Sequence, residues 1–161
     1  MPTPGMRLTI DYGNAMPLTG IGIYGRLLFR ALRDYAASEV TVGTSGAQFA
    51  SGSLRPLWRL LYLADLGRQR RRRFNHADVV HFINQYVPKP IPGVRYVVTI
   101  HDLDPMLAPD AHTRRFVKYF AASARTAVSR ATRVVVPSDT VRQELLTYLD
   151  ADPAKVCTAG Q

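Results

Sequence analysis

Apolar and polar positions alternate along the chain with two different periods, and together these periods predict strands that alternate with helices. Short, nearly continuous apolar runs are typical of strands that are buried on both faces of a parallel sheet. These runs lie near residues 7–12, 39–42, 78–82, 95–100, 133–137 and 155–159. The pattern therefore predicts an α/β fold, a Rossmann-like parallel sheet flanked by helices.

Helical spacing of apolar residues is clearest in the segments between these runs. Residues 21–35 place their apolar side chains on one helical face and most of their arginines on the other. Residues 116–131 show a near-fourfold apolar spacing, and Ser138 is a candidate N-cap for a helix that follows it. A small-residue loop is expected over residues 43–53 and a short helix over residues 57–64.

Length and charge define the class of protein further. With 161 residues, 47% of them hydrophobic, residues 1–161 are expected to form a single domain with its own core. The net charge of +9 favours an anionic partner, which could be a nucleic acid, an anionic membrane or a phosphorylated substrate. Because no nucleic-acid-binding signature accompanies the charge, a nucleic-acid partner is not expected.

Cysteine and histidine usage indicates the compartment and argues against metal binding. Cys157 is the only cysteine, which excludes a disulfide within one chain and favours a reducing compartment. The amino terminus lacks the features of a secretory signal, and no apolar window is long enough to span a membrane. A cytoplasmic protein is therefore expected. No histidine spacing is typical of a metal site, so no metal is expected.

One basic segment follows an apolar stretch directly and predicts contact with a membrane surface. Aromatic and aliphatic residues beside basic ones are typical of elements that lie in a membrane interface. At about 1 kcal/mol per basic residue, such a segment could contribute roughly 5 kcal/mol to peripheral binding at the inner face of the membrane. The residues of this patch are Trp58, Arg68, Arg70, Arg71, Arg72 and Arg73. A solvated helix end is the alternative interpretation.

Gly20 and Gly22 lie between the first predicted strand and the first predicted helix. Glycines there allow close approach of the backbone to a ligand, and a helix start presents N–H groups to an anion. A phosphate would suit this position. Since the full dinucleotide-binding pattern is not present, a purely structural turn is an equally weighted alternative.

Titratable and polar side chains follow the predicted strands at their carboxyl ends, where open α/β sheets bind ligands. His101 and Asp102 follow one strand, and the alternative is that His101 caps nearby backbone while Asp102 holds the loop. His81 and Asn84 end another strand and could line the same cleft. Ser138 also follows a strand, although helix capping is its more ordinary role.

Taken together, these motifs resemble the amino-terminal half of family-4 glycosyltransferases, which are retaining enzymes with the two-domain GT-B fold. The resemblance covers nearly the whole chain and rests on the order and spacing of several motifs. They are residues 20–24 with 27–32, residues 78–82, residues 98–105 and residues 131–141.

The resemblance implies roles for particular residues. Gly20 and Gly22 would approach the donor diphosphate, and His101 would contact the transferred sugar as the catalytic residue. His81, Asn84, Asp102 and Ser138 would face the acceptor. The donor would be a nucleotide-diphosphate sugar and the acceptor a sugar or a lipid-linked molecule, with no cofactor and with metal-independent chemistry.

The same resemblance implies a second, donor-binding GT-B domain, to which no segment of these 161 residues corresponds. This domain would belong to the same parent chain or to a separate subunit, and the present chain alone is expected to be inactive. The alternative is a noncatalytic Rossmann-like interaction module that binds an anionic membrane or a protein partner.

Overall fold

The computed structural model describes residues 5–13, 19–35, 40–45, 74 and 76–160. Its strands are β1 Met6–Asp11, β2 Val40–Ser45, β3 Val79–Phe82, β4 Arg95–Thr99, β5 Arg133–Val136 and β6 Val156–Thr158. Its helices are α1 Gly20–Tyr35, α2 Asp104–Leu107, α3 Arg114–Arg130 and α4 Asp139–Leu149, with a 3-10 turn at Pro109–Ala111. The predicted alternation of strands and helices is confirmed.

The chain divides into two compact units. The first comprises Met1–Ile83 and Pro88–Arg95, and the second comprises Asn84–Val87 and Tyr96–Gln161. Each of the six strands makes parallel pairings, in the order β2-β1-β3 in the first unit and β4-β5-β6 in the second. The fold is therefore α/β and Rossmann-like, as the apolar runs predicted.

In the first unit, β1 is the central strand. It pairs with β2 from Met6↔Val40 onward and with β3 from Leu8↔Val79 onward. Leu8, Ile10 and Asp11 of this strand are buried, as is typical of a strand with a neighbour on each side. The core of this unit includes Leu8, Ile10, Phe74, Val80 and Phe82, with the Phe74 and Phe82 rings packed edge to face.

Helix α1 lies very close to the ends of β1 and β3 at one glycine. A Cβ atom on Gly25 would lie 2.8 Å from both Ile83 Cδ1 and Tyr12 Cε1. The Tyr12 hydroxyl donates to the Gly25 carbonyl oxygen at 2.9 Å, and burial raises the pKa of that phenol, against the opposing charge of Arg26. Gly25 is therefore a packing glycine.

An ion pair fastens the entry of β3 to β1. The Arg7 backbone N–H donates to Asp78 Oδ2 at 2.7 Å, and its guanidinium Nη2 lies 3.1 Å from Asp78 Oδ1. Hydrogen bonds from Arg7 hold the pKa of Asp78 below its ordinary value of 3.8. The side-chain hydrogen bond has the larger effect and the backbone hydrogen bond the smaller one. The folded state thus favours the ionised carboxylate.

We expect the substitution Asp78→Asn to lower the thermal unfolding temperature modestly at neutral pH. Because the folded pKa is depressed, the stabilisation is complete above the ordinary pKa of 3.8 and is lost as pH falls through the lower folded pKa. Thermal unfolding followed from pH 7 to pH 2 should show the difference between variant and parent disappear at the acidic end. Asp34→Asn, at an exposed pair with neighbouring Arg33, is the control and should leave the unfolding temperature unchanged. A difference that persists at low pH would contradict this account.

In the second unit, β5 lies between β4 and β6, with Val97↔Arg133 and Val134↔Val156 in register. Both long helices of this unit begin at a hydroxyl cap. Thr113 Oγ1 accepts from Phe116 N, and Ser138 Oγ accepts from Val141 N, each at 3.3 Å. The core includes Tyr96, Val98, Ile100, Leu103, Phe120, Ala124, Ala127, Val134, Val136 and Leu145, which confirms the apolar spacing predicted for residues 116–131.

The structure also departs from the predicted elements. Strand β2 continues to Ser45, past the predicted loop start at residue 43, because residues 43–45 pair with β1 through their backbone, which requires no apolar side chain. Helix α2 and the 3-10 turn were not predicted, since both are too short to show a helical period. The predicted helix over residues 57–64 and the patch of Trp58, Arg68, Arg70, Arg71, Arg72 and Arg73 lie outside the described residues.

Candidate functional site

The two predicted phosphate-binding glycines lie in the first turn of α1, which begins one residue before the predicted start at residue 21. Helix α1 begins at Gly20, and Thr19 caps it. Thr19 Oγ1 accepts from Gly22 N at 3.3 Å, and the Thr19 carbonyl accepts from Ile23 N at 2.8 Å. The cap stabilises a helix start at Gly20, because Thr19 satisfies two of the N–H groups in the first turn. Contact with a donor diphosphate stays a prediction.

In the first unit, buried polar residues lie near the carboxyl ends of β1 and β3, and the register places them on opposite faces of the sheet. His81 pairs with Ile10 inside β3 and is 7% exposed, so it lies within the strand and not in the loop after it. Asp11, which pairs with Phe82, is 3% exposed. Asp11 is not among the predicted site residues, because a lone aspartate at a strand end has no distinguishing spacing.

In the second unit, His101 and Asp102 follow β4. The strand extends by one further hydrogen bond, from Ile100 N to the Val135 carbonyl at 3.0 Å, and then leaves the sheet. His101 is half-buried, whereas Asp102 is exposed and its Oδ1 accepts from Asp104 N at 3.2 Å. Asp102 therefore holds the loop that carries His101, which is the structural role considered as an alternative for it.

A second ionisable pair braces the same loop. His112 Nε2 lies 2.8 Å from Asp104 Oδ2, and the His112 ring lies 5.5 Å from the Phe116 ring between centroids. The pair joins the start of α2 to the residue after the 3-10 turn. The sequence does not reveal this pair, because the 3-10 turn that brings the two side chains together has no recognisable sequence pattern.

Asn84 begins a short turn that its own side chain stabilises. It is 5% exposed, and its Oδ1 accepts from Tyr86 N at 3.1 Å. Arg130 Nη1 donates to the Val87 carbonyl at 3.2 Å, and the Tyr86 ring stacks on Tyr119 with 5.5 Å between centroids. These two contacts fix the carboxyl-terminal end of the turn of residues 84–87 to α3.

Ser138 caps α4, and the residue after it is also engaged in local structure. Asp139 Oδ1 accepts from the Thr158 hydroxyl at 2.7 Å, which joins the start of α4 to the end of β6. The Ser138 side chain therefore has the capping role expected of it, and its contact with an acceptor stays a prediction.

The predicted site residues fall in both units. Gly20, Gly22 and His81 belong to the first, and Asn84, His101, Asp102 and Ser138 belong to the second. Among the residues that the structure describes, no cluster of three or more histidine, cysteine, aspartate or glutamate side chains could hold a metal ion. None of the helices described is both long enough and apolar enough to cross a membrane.

Comparison with known families identifies the chain. The model of Glycosyltransferase Family 4 matches residues 25–159, which is most of the sequence. The chain belongs to glycosyltransferase family 4. This confirms the resemblance found in the sequence and supports a glycosyltransferase role for the chain. Membership also implies, in general terms, a donor-binding partner domain and a sugar acceptor. No curated protein matches this family-4 chain.

The matched region covers some predicted site residues and not others. His81, Asn84, His101, Asp102 and Ser138 lie inside it, whereas Gly20 and Gly22 precede its first residue. The assignment of the two glycines to a donor diphosphate therefore rests on the motif resemblance and on their position at a helix start.

Proposed function

We propose that this chain is the acceptor-binding half of a retaining glycosyltransferase. It would move a sugar from a nucleotide-diphosphate sugar to a lipid-linked or saccharide acceptor, together with a donor-binding domain. The observation that carries the proposal is the family match over residues 25–159, which includes the His101 loop at the carboxyl end of β4. In open α/β sheets, this is the end at which ligands bind.

His101 has the surroundings of a substrate-contacting group. Its imidazole is half-buried and can donate to one sugar hydroxyl or accept from another, depending on its tautomer. The loop around it is held by the Asp102 contact with Asp104 N, by the Asp104–His112 pair and by Leu103, which is fully buried. A braced loop lowers the entropic cost of orienting the ring toward a reacting sugar.

The proposed chemistry is substrate-assisted. The acceptor oxygen bonds to the anomeric carbon as the bond from that carbon to the diphosphate breaks, and the departing phosphate takes the proton of the acceptor hydroxyl. His101 would orient the sugar, while Gly20 and Gly22 at the start of α1 would favour the negative charge that develops on the diphosphate. Electrostatic stabilisation of this kind is often the largest catalytic contribution.

The experiment that tests the proposal measures sugar transfer by this chain alone and after mixing with a donor-binding domain encoded beside it or downstream in the same gene. Transfer from a panel of nucleotide-diphosphate sugars is expected only in the mixture. The donor-binding domain alone is the control, and it should be inactive as well. Absence of transfer in every arm would refute the proposal.

A noncatalytic membrane-binding module is the second candidate, and the exposed face of α1 favours it. Ile23 and Leu27 are 43% and 58% exposed, one turn apart on this face. Arg26 and Arg30 are exposed beside them, and the chain carries a net charge of +9. These side chains share one face, which differs from the separation of apolar residues and arginines expected for residues 21–35. Apolar and basic side chains on one helical face are typical of helices that lie on anionic membranes. Absence of transfer in the mixing experiment, with binding to anionic vesicles retained, would favour this candidate.

A further inference from the structure

His112 joins two parts of the second unit through its imidazole. Its Nε2 lies 2.8 Å from Asp104 Oδ2, and its ring lies 5.5 Å from the Phe116 ring between centroids. Because an ionised carboxylate only accepts hydrogen bonds, His112 Nε2 carries a proton and is the donor of this hydrogen bond. In the part of the chain that the structure describes, His112 is the only hydrogen-bond partner of the Asp104 carboxylate.

Asp104 begins a helix that is too short to hold its own first turn. Helix α2 has four residues, and Leu103 before it supplies no side-chain cap. Since the first turn of a helix fixes several backbone angles for very few hydrogen bonds, so short a helix relies on contacts from outside it. The buried side chain of Leu103 provides one such contact, and the hydrogen bond from His112 to Asp104 provides another.

The position of Asp104 also determines how the loop that carries His101 is held. The Asp104 backbone N–H donates to Asp102 Oδ1 at 3.2 Å, and Asp102 directly follows His101 in the chain. Both aspartates are exposed, so water competes for this hydrogen bond. The bond forms only while Asp104 stays in place, and a shift of Asp104 therefore loosens the residue next to His101.

His112 is itself fixed by α3. It directly precedes Thr113, the N-cap whose Oγ1 accepts from Phe116 N at 3.3 Å. Helix α3 has 17 residues, and its Phe120 side chain is buried in the core of the second unit. The hydrogen bond that His112 donates therefore ties the start of α2 to an element that the core holds in place.

We infer that His112 is a positioning residue for sugar transfer. By donating to Asp104, it holds the loop that orients the His101 imidazole toward the transferred sugar. This inference rests on the proposed function and adds a residue that acts through its neighbours. A misplacement of about 1 Å in a reacting geometry can cost roughly 10²-fold in rate. Loss of the donated hydrogen bond should therefore lower kcat, with the KM for the acceptor unchanged.

Two variants separate the donated hydrogen bond from the packing of the ring. His112→Gln keeps a side-chain N–H donor and loses the ring, whereas His112→Phe keeps a ring beside Phe116 and loses the donor. In the mixture with the donor-binding domain, kcat should fall roughly tenfold in His112→Phe and stay within about twofold of the parent in His112→Gln. Both should unfold close to the parent temperature, because the side chains of His112 and Asp104 are 26% and 63% exposed and exposed ion pairs contribute little to stability.

The matched controls are His76→Phe and His76→Gln, which make the same changes at an exposed imidazole outside every strand and helix described. Both should leave kcat unchanged. Equal kcat values for His112→Phe and His112→Gln would overturn the inference, whether both match the parent or both fall, because the donated hydrogen bond would then make no difference.

NMR of the full chain, without a donor-binding domain or a sugar, reports the surroundings of His101 directly. The imidazole C–H signals of His101 are assigned as those missing from His101→Ala. They should shift or broaden in His112→Phe and stay in place in His112→Gln. The signals of His81, which lies within β3 in the first unit, should stay in place in both variants. Unchanged His101 signals in His112→Phe would overturn the inference.

The outcomes separate this inference from the proposed function. Absence of transfer by the parent mixture would refute the proposed function and with it the role of His112 in transfer. Transfer by the parent mixture with equal kcat in the two His112 variants would overturn the inference alone and leave the transferase standing. A change in the His101 signals together with a loss of kcat, both confined to His112→Phe, would support both.

Discussion

Replacing His101 with alanine is expected to lower the rate of sugar transfer about 10²- to 10³-fold in the mixture of this chain with its donor-binding domain. A loss of this size is typical when a positioned hydrogen-bonding group at a reacting centre is removed. The imidazole is half-buried in a loop that Asp102 and the Asp104–His112 pair hold in place. Initial rates at saturating donor and acceptor give the change in kcat.

The matched control is His76→Ala, which removes an exposed imidazole outside every strand and helix described. It should leave the rate and the unfolding temperature unchanged. His101→Ala should also unfold close to the parent temperature, because the buried residue of this loop is Leu103. Equal transfer rates for the two alanine variants would refute a catalytic role for His101.

The sequence predicts the fold well because the signals for the fold are local. Continuous apolar runs such as Val97–Ile100 have few alternatives to a buried parallel strand, and Ser138 caps α4 through contacts only three residues apart. A local signal also predicts the position of His101, which follows β4 at the end of the strand where a ligand would bind. To predict this position, it is enough to find where the apolar run ends.

Features that the sequence did not reveal depend on contacts that no spacing of residue types along the chain indicates. His112 acquires a role through the turn that brings it to Asp104. Helix α1 begins at Gly20, one residue before the start predicted at residue 21, because Thr19 caps it.

Gly25→Val is expected to have the largest effect on stability, lowering the free energy of unfolding by about 3 kcal/mol. The new Cβ would lie 2.8 Å from both Ile83 Cδ1 and Tyr12 Cε1. The Ile83 methyl group can rotate away, but the Tyr12 ring is tied to Gly25 itself by its 2.9 Å hydrogen bond. Relief of the contact therefore breaks that bond or moves α1. Calorimetry should show an unfolding temperature lower by roughly 6 to 12 °C.

Gly20→Val on the same helix provides the control. A Cβ on Gly20 would meet no heavy atom within 4 Å, and this residue is exposed. The substitution changes the same residue type on the same helix without the contact, so the unfolding temperature should stay close to that of the parent. Similar falls for both variants would show that the loss comes from the chemistry of valine in a helix and not from packing at Gly25.

The smaller variant Gly25→Ala separates packing from backbone effects. Alanine is favoured over glycine in a helix by about 1 kcal/mol, which should offset part of the clash that the same Cβ creates. A fall of about 1 kcal/mol is therefore expected for Gly25→Ala, between the parent and Gly25→Val. Because α1 also carries Gly20 and Gly22, displacement of this helix should lower the transfer rate along with stability. A variant that unfolds early but transfers normally would show that donor binding does not depend on where α1 lies.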